Sequence, residues 1–94
     1  MKQRRAPAPD VCVPRRRLNA RVRNFRDRTM VAGSSQPLEL SESAAFIWRL
    51  MDGRRSVSDL ADALCAEYEV DRDTAVADVT ELVGALHDVG VVDL

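Results

Sequence analysis

The chain has 94 residues, of which 46% are hydrophobic, 31% charged and only 4% aromatic; this is room for one small domain and excludes a two-domain enzyme. No apolar run approaches the roughly 18 to 20 residues of a bilayer-spanning helix. The basic N-terminus continues into Ala-Pro-Ala-Pro without the apolar segment of a secretory signal, so a cytoplasmic protein with no membrane partner is expected. The net charge of −1 hides an asymmetry. Ten Lys/Arg against two Asp give residues 1–28 a charge of +8, whereas four Arg against thirteen acids give residues 29–94 a charge of −9.

Residues 1–14 combine Lys and Arg with Pro7, Pro9 and Pro14 and show no periodicity. They are expected to form a flexible basic arm, with the folded domain over 15–94. From Leu18 the chain alternates, Leu18, Ala20 and Val22 against Asn19, Arg21 and Arg23, which predicts a first half-buried strand. A turn within 24–27 leads to a second strand over 28–32, closed by Gly33-Ser34-Ser35. A third short strand, 36–40, places Leu38 and Leu40 on one face. Pro37 has no N–H to give a neighbour, which confines this strand to a sheet edge or makes Pro37 its start.

The period then becomes helical. Ser41 is a good N-cap, and Ala44, Ala45, Ile47, Trp48 and Met51 form an apolar stripe up to Asp52-Gly53, predicting a helix over 42–51. Ser56 with Asp59 resembles a capping box, and Val57, Leu60, Ala61, Leu64, Cys65 and Tyr68 predict a second helix over 57–68. Asp71 or Asp73 caps a third helix, with Ala75, Val79, Leu82, Leu86 and Val89 on its buried face and Gly90 as its stop. The apolar tail, 91–94, is expected to fold back onto the core. Three short strands followed by three helices make an α+β domain of the winged helix-turn-helix kind.

The residues offer little for catalysis. Cys12 and Cys65 read as reduced thiols, Cys65 in the core, and are too few and too far apart for a metal knuckle. The single histidine, His87, suits a helix C-terminus, and the four glycines stand singly rather than in a phosphate loop. No catalytic residue, metal or cofactor is therefore expected. A DNA-binding winged-helix regulator is the rival reading, but the third helix carries one Arg against Asp73, Asp78, Glu81 and Asp88, the wrong sign for phosphates. Nor does Arg15-Arg16-Arg17 carry interleaved aromatics for base stacking, so no nucleic-acid partner is expected. Peptide binding fits what remains: a sheet with a short edge strand beside an apolar helix can accept an extended peptide as one more strand. The walls would be the strand over 36–40 and the third helix, where Val76 and Val83 flank the main stripe and are the more available.

The run Leu40-Ser41-Glu42-Ser43-Ala44-Ala45-Phe46-Ile47-Trp48-Arg49-Leu50-Met51-Asp52-Gly53 resembles the signature L-x-x-x-A-x-x-I-W-x-L-x-D-G of PqqD-like proteins. The likeness continues through Ser56 to Ala61 and ends in Asp78-Val79, Leu82, Leu86 and Gly90-Val91-Val92, covering about residues 17–94. The basic arm and the stretch 32–36 depart from the family pattern. PqqD-like proteins are RiPP recognition elements, peptide chaperones that bind the leader of a ribosomally made precursor and present it to a modifying enzyme. The resemblance implies that the leader adds as an antiparallel strand to the third strand and packs on the third helix. It nominates Pro37, Leu38, Glu39 and Leu40 on the strand and Val76, Asp78, Val79, Leu82 and Val83 on the helix. It further implies a partner such as a radical-SAM protein, in pyrroloquinoline quinone biosynthesis, or a leader peptidase, in lasso-peptide biosynthesis. Composition rich in Arg, Ala, Val and Asp leans toward the lasso-peptide alternative, and the open sheet edge leaves a homodimer open.

Overall fold

A computed structural model describes residues 11–33 and 36–94. The elements in chain order are β1 (Arg15–Arg16), β2 (Arg21–Phe25), β3 (Arg28–Ala32), β4 (Leu38–Leu40), α1 (Glu42–Leu50), α2 (Val57–Glu67), α3 (Arg72–Asp88) and β5 (Val92–Asp93). The fold is α+β, an antiparallel sheet in the order β2-β3-β4 followed by three helices. A second, two-stranded sheet pairs β1 with β5, Arg15 opposite Asp93 and Arg16 opposite Val92.

The helices begin and end where local chemistry dictates. The Ser41 hydroxyl accepts from the Ala44 N–H at 3.2 Å. Ser56 and Asp59 make a reciprocal capping box, with both hydrogen bonds at 3.0 Å. Asp71 is the cap of α3, accepting from the Thr74 N–H at 2.7 Å. This bond holds the Asp71 carboxyl below its ordinary value. Gly90, at φ +81°, ends α3 in the left-handed conformation. Its N–H donates to His87 O at 3.0 Å and that of Val91 to Leu86 O at 3.1 Å, a Schellman closure. Between α1 and α2 the Asp52 carboxylate accepts from the Arg54 and Arg55 N–H groups and from the Arg55 guanidinium. These bonds, the one from Arg54 foremost, lower the Asp52 pKa. The Asp52-Gly53 pair is thus a structural turn.

The core lies between the inner face of the sheet and the three helices. Val31 and Leu40 come from the sheet, Ile47 and Trp48 from α1, Leu60 and Leu64 from α2, and Val79 and Leu86 from α3. Each fully buried leucine contributes about 1.5–3 kcal/mol of apolar burial. The tail does fold back: Val91 and Val92 are buried.

Four expectations change. The strand expected from Leu18 is β2 and starts at Arg21, because the Ala20 N–H turns back to Arg17 O at 3.1 Å and leaves Leu18 fully exposed; all five residues of β2 are exposed rather than half-buried. The expected arm lies through residue 10 outside the described residues, but its last residues are packed. Cys12 and Pro14 are buried, and the Cys12 carbonyl accepts the Val57 N–H at 2.8 Å. That N–H is one of the donors a helix start leaves without an internal partner, so residues 12–14 pack against the start of α2. The buried cysteine is accordingly Cys12, its thiol pKa raised by desolvation, while Cys65 is only half-buried. Finally, α3 buries Ala75, Val79, Val83 and Leu86, whereas Leu82 and Val89 are half-buried; the apolar stripe is rotated toward Val83.

Candidate functional site at the edge of the sheet

β4 is an end strand: β3 pairs with one of its sides, and among the described residues no strand lies on the other. Such an edge presents unpaired backbone N–H and C=O groups. Leu38 and Leu40 lie opposite Val31 and Thr29 on the inner face of the sheet, half-buried and buried respectively. Glu39, opposite Met30, stands on the outer face and meets the Arg28 guanidinium at 3.1 Å. Pro37, exposed, immediately precedes the strand and needs no ladder partner for its nitrogen.

At the end of β4 the chain passes through Ser41 into α1, and there a cleft of about 420 Å³ opens between α1 and α3. Ser43, Ala44 and Ile47 line it from α1, and Asp78, Val79, Glu81, Leu82 and Ala85 from α3, with Leu64 of α2 completing it. The cleft exists because Ser43, Ala44 and Ala85 are short: they let the helices approach without filling the space between them. Its apolar surface comes from Ala44, Ile47, Leu64, Val79, Leu82 and Ala85, while the exposed Asp78 and Glu81 make its lip acidic and, among the described residues, no Lys or Arg lines it. A second cleft, about 390 Å³, lies on the other side of Ser41 between Thr29 and Leu40 of the sheet and Ala45 and Arg49 of α1.

Of the nominated helix residues, Asp78, Val79 and Leu82 line the α1–α3 cleft, while Val76 and Val83 do not. Val83, expected to be available, is 3% exposed, and half-buried Val76 packs against the core. The strand residues Pro37, Leu38, Glu39 and Leu40 do not line the cleft, which begins at Ser41, the residue after β4. The wall formed by α1 was not legible in the sequence, since its motif reads as core; on α3, the 78, 81/82, 85 spacing, which puts Ala85 one turn beyond Leu82, was the signal for Glu81 and Ala85. Among the described residues no group of three His, Cys, Asp or Glu side chains could hold a metal, and no helix is long and apolar enough to cross a membrane. The net −3 of α3 opposes phosphate docking, and the DNA-regulator reading finds no support in the fold or the relatives.

The chain is similar to the PqqA binding protein of Xanthomonas oryzae pv. oryzae (strain KACC10331 / KXO85), 36% identical over 73 residues, which are 73% of this chain and 79% of that protein. It is similar also to that of Xanthomonas euvesicatoria pv. vesicatoria (strain 85-10), at 34% identity over 62 residues, 66% of this chain and 67% of that protein. Among solved structures, a lasso peptide synthetase B1 complexed with the leader peptide matches with TM-score 0.75 and 27% identity, covering 88% of this chain and 100% of that one. The PqqD truncation of Methylobacterium extorquens PqqCD, described as a functional and stand-alone RiPP recognition element, matches with TM-score 0.73 and 25% identity over 92% of this chain and 98% of that one. The sheet, the capped helices and the helix-one motif are thus features of a known group, and because the model of coenzyme PQQ synthesis protein D matches residues 29–92, the chain belongs to the PqqD family.

Proposed function

We propose that this chain is a non-catalytic, cytoplasmic recognition protein that binds the leader of a ribosomally made precursor peptide and presents it to a modifying enzyme. The observation that carries this reading is the edge strand β4 followed, from Ser41 on, by an apolar cleft between α1 and α3. The leader adds to β4 as an antiparallel strand, its backbone taking up the edge hydrogen bonds while alternate side chains enter the groove. Pro37, Leu38, Glu39 and Leu40 form the receiving strand; Asp78, Val79 and Leu82 line the groove, with Val76 and Val83 supporting it from behind. The hairpin of β2 and β3 together with α2 and α3 reads as a winged helix-turn-helix whose acidic α3 suits a peptide better than nucleic acid. The protein works by positioning: holding the leader raises the effective concentration of the rest of the precursor at an enzyme bound to the same complex.

Relatives named for binding PqqA and a neighbour solved with a leader peptide support the reading. They also define the probes. In a fluorescence-anisotropy titration, a PqqA-type leader and a lasso-type leader are each compared with a scrambled sequence. Saturable binding of one true leader, and its loss in Glu39→Pro with helical circular dichroism retained, is the expected result. Equal binding of true and scrambled peptides, or unchanged binding by Glu39→Pro, would overturn strand addition.

A further inference from the structure

The other edge of the main sheet has a different character. All five residues of β2, Arg21 to Phe25, are exposed, and among the described residues β2 pairs only with β3. Because directly opposite residues share a face, Arg21, Arg23 and Phe25 lie with Met30, Ala32 and Glu39 on the outer side, opposite to the buried Val31. Arg28 on that face is paired with Glu39, but Arg21 and Arg23 have no ion-pair partner among the described residues. Phe25 is 61% exposed, with the Arg26 guanidinium 5.5 Å over its ring, and Val22 is 47% exposed on the inner side of the strand. The hairpin therefore combines an open backbone edge, unpaired guanidiniums and exposed apolar side chains on a strand that, among the described residues, no element but β3 pairs with.

We infer that β2 is a second docking edge, which accepts an extended acidic segment of a partner protein as an added strand. Three features select this occupant. A second copy pairing antiparallel through β2 would bring Arg21 and Arg23 of the two copies into one ladder, and like charges there repel. Nucleic acid would satisfy the guanidiniums, and a single strand could stack a base on Phe25, but it would leave the backbone edge and Val22 unused. An acidic strand satisfies all three at once: its backbone completes the ladder, its carboxylates meet Arg21 and Arg23, and its apolar side chains cover Val22 or Phe25. Only β3 separates β2 from β4, so segments on the two edges would lie about 15–20 Å apart, counting strand spacings of about 4.8 Å. Both edges can be occupied together, and the inference does not depend on what β4 binds.

The test uses the full chain and a labelled peptide of alternating glutamate and valine, with a lysine–valine counterpart, duplex DNA and single-stranded RNA as comparison probes. Saturable binding of the glutamate peptide, with amide shifts centred on residues 21–25 rather than 38–40, is expected. Arg21→Gln/Arg23→Gln should weaken it about tenfold, and Arg21→Glu/Arg23→Glu should transfer the preference to the lysine peptide. Both positions are exposed, and an unchanged amide spectrum outside β2 verifies that each variant is folded. Failure of the glutamate peptide to bind, binding indifferent to either double variant, shifts centred on β4, or tighter binding of either nucleic acid would overturn the inference.

Discussion

Replacing Gly33 by alanine probes the spacing between the sheet and α3. Gly33 follows β3 at the point where the sheet passes the Schellman turn after α3. A Cβ there would stand 2.8 Å from Gly90 O, 2.9 Å from Val89 O and 3.0 Å from Val91 Cγ1. Two of these neighbours are backbone carbonyls in a turn held by the Gly90 and Val91 hydrogen bonds, so no side-chain rotation can relieve the contact. Overpacking of this kind costs about 1–3 kcal/mol. Alanine also restricts the unfolded chain, which returns about 0.4–1 kcal/mol. The net expectation is about 1–2 kcal/mol of destabilisation, which for a domain of this size lowers Tm by roughly 5–15 °C. Thermal unfolding followed by circular dichroism reads this directly. A Tm within about 2 °C of the parent would show that the turn yields and that Gly33 does not set the spacing.

Other substitutions separate stability from binding. Leu86→Ala removes a fully buried side chain and should cost about 2–5 kcal/mol in urea unfolding, whereas Leu82→Ala, at the half-buried cleft wall, should weaken leader binding in the anisotropy titration at a much smaller cost in stability. Ser56→Ala removes half of the capping box of α2 and should lower stability by about 1 kcal/mol, with leader affinity retained. Asp52 and Asp71 have lowered folded-state pKa values, so the unfolded chain takes up their protons first as pH falls. Their contribution is complete above the ordinary carboxylate range near pH 4 and is lost as pH drops through the folded values; Tm measured against pH should fall there, less steeply in Asp52→Asn. Because burial raises the Cys12 thiol pKa while Cys65 is half-exposed, iodoacetamide on the native protein should label Cys65 first, as peptide mass mapping would show.

The helices were readable because their determinants are local. Ser41, the Ser56 and Asp59 box, Asp71 and Gly90 each act within one turn of the chain, and observed boundaries agree with the predicted ones to within a residue. The strand over 28–32 was equally legible, from its β-branched residues, whereas Pro37 allowed either an edge strand or a strand start and in the structure immediately precedes β4. The start of β2 was not legible. Leu18 alternates correctly with Ala20 and Val22, but a turn at Ala20 takes it out of the sheet, and a period of two cannot report which end of an alternating run finds a partner.

What sequence alone determined is the order of the three strands of the main sheet and of the three helices, the caps, the sign of α3 and the family, since each rests on neighbouring residues or on a linear motif. Tertiary structure decided which long-range surfaces meet. The pairing of β1 with β5, and the capture of the Val57 N–H by Cys12, join segments more than forty residues apart, each too short to carry a pattern of its own. The choice of Val83 over Leu82 for the core depends on the rotation of α3 against its neighbours, one residue step being about 100° of helix. That rotation leaves Leu82 beside Asp78 and Ala85 at the cleft. The cleft itself reflects short side chains on two helices, a property of their juxtaposition that neither helix displays alone.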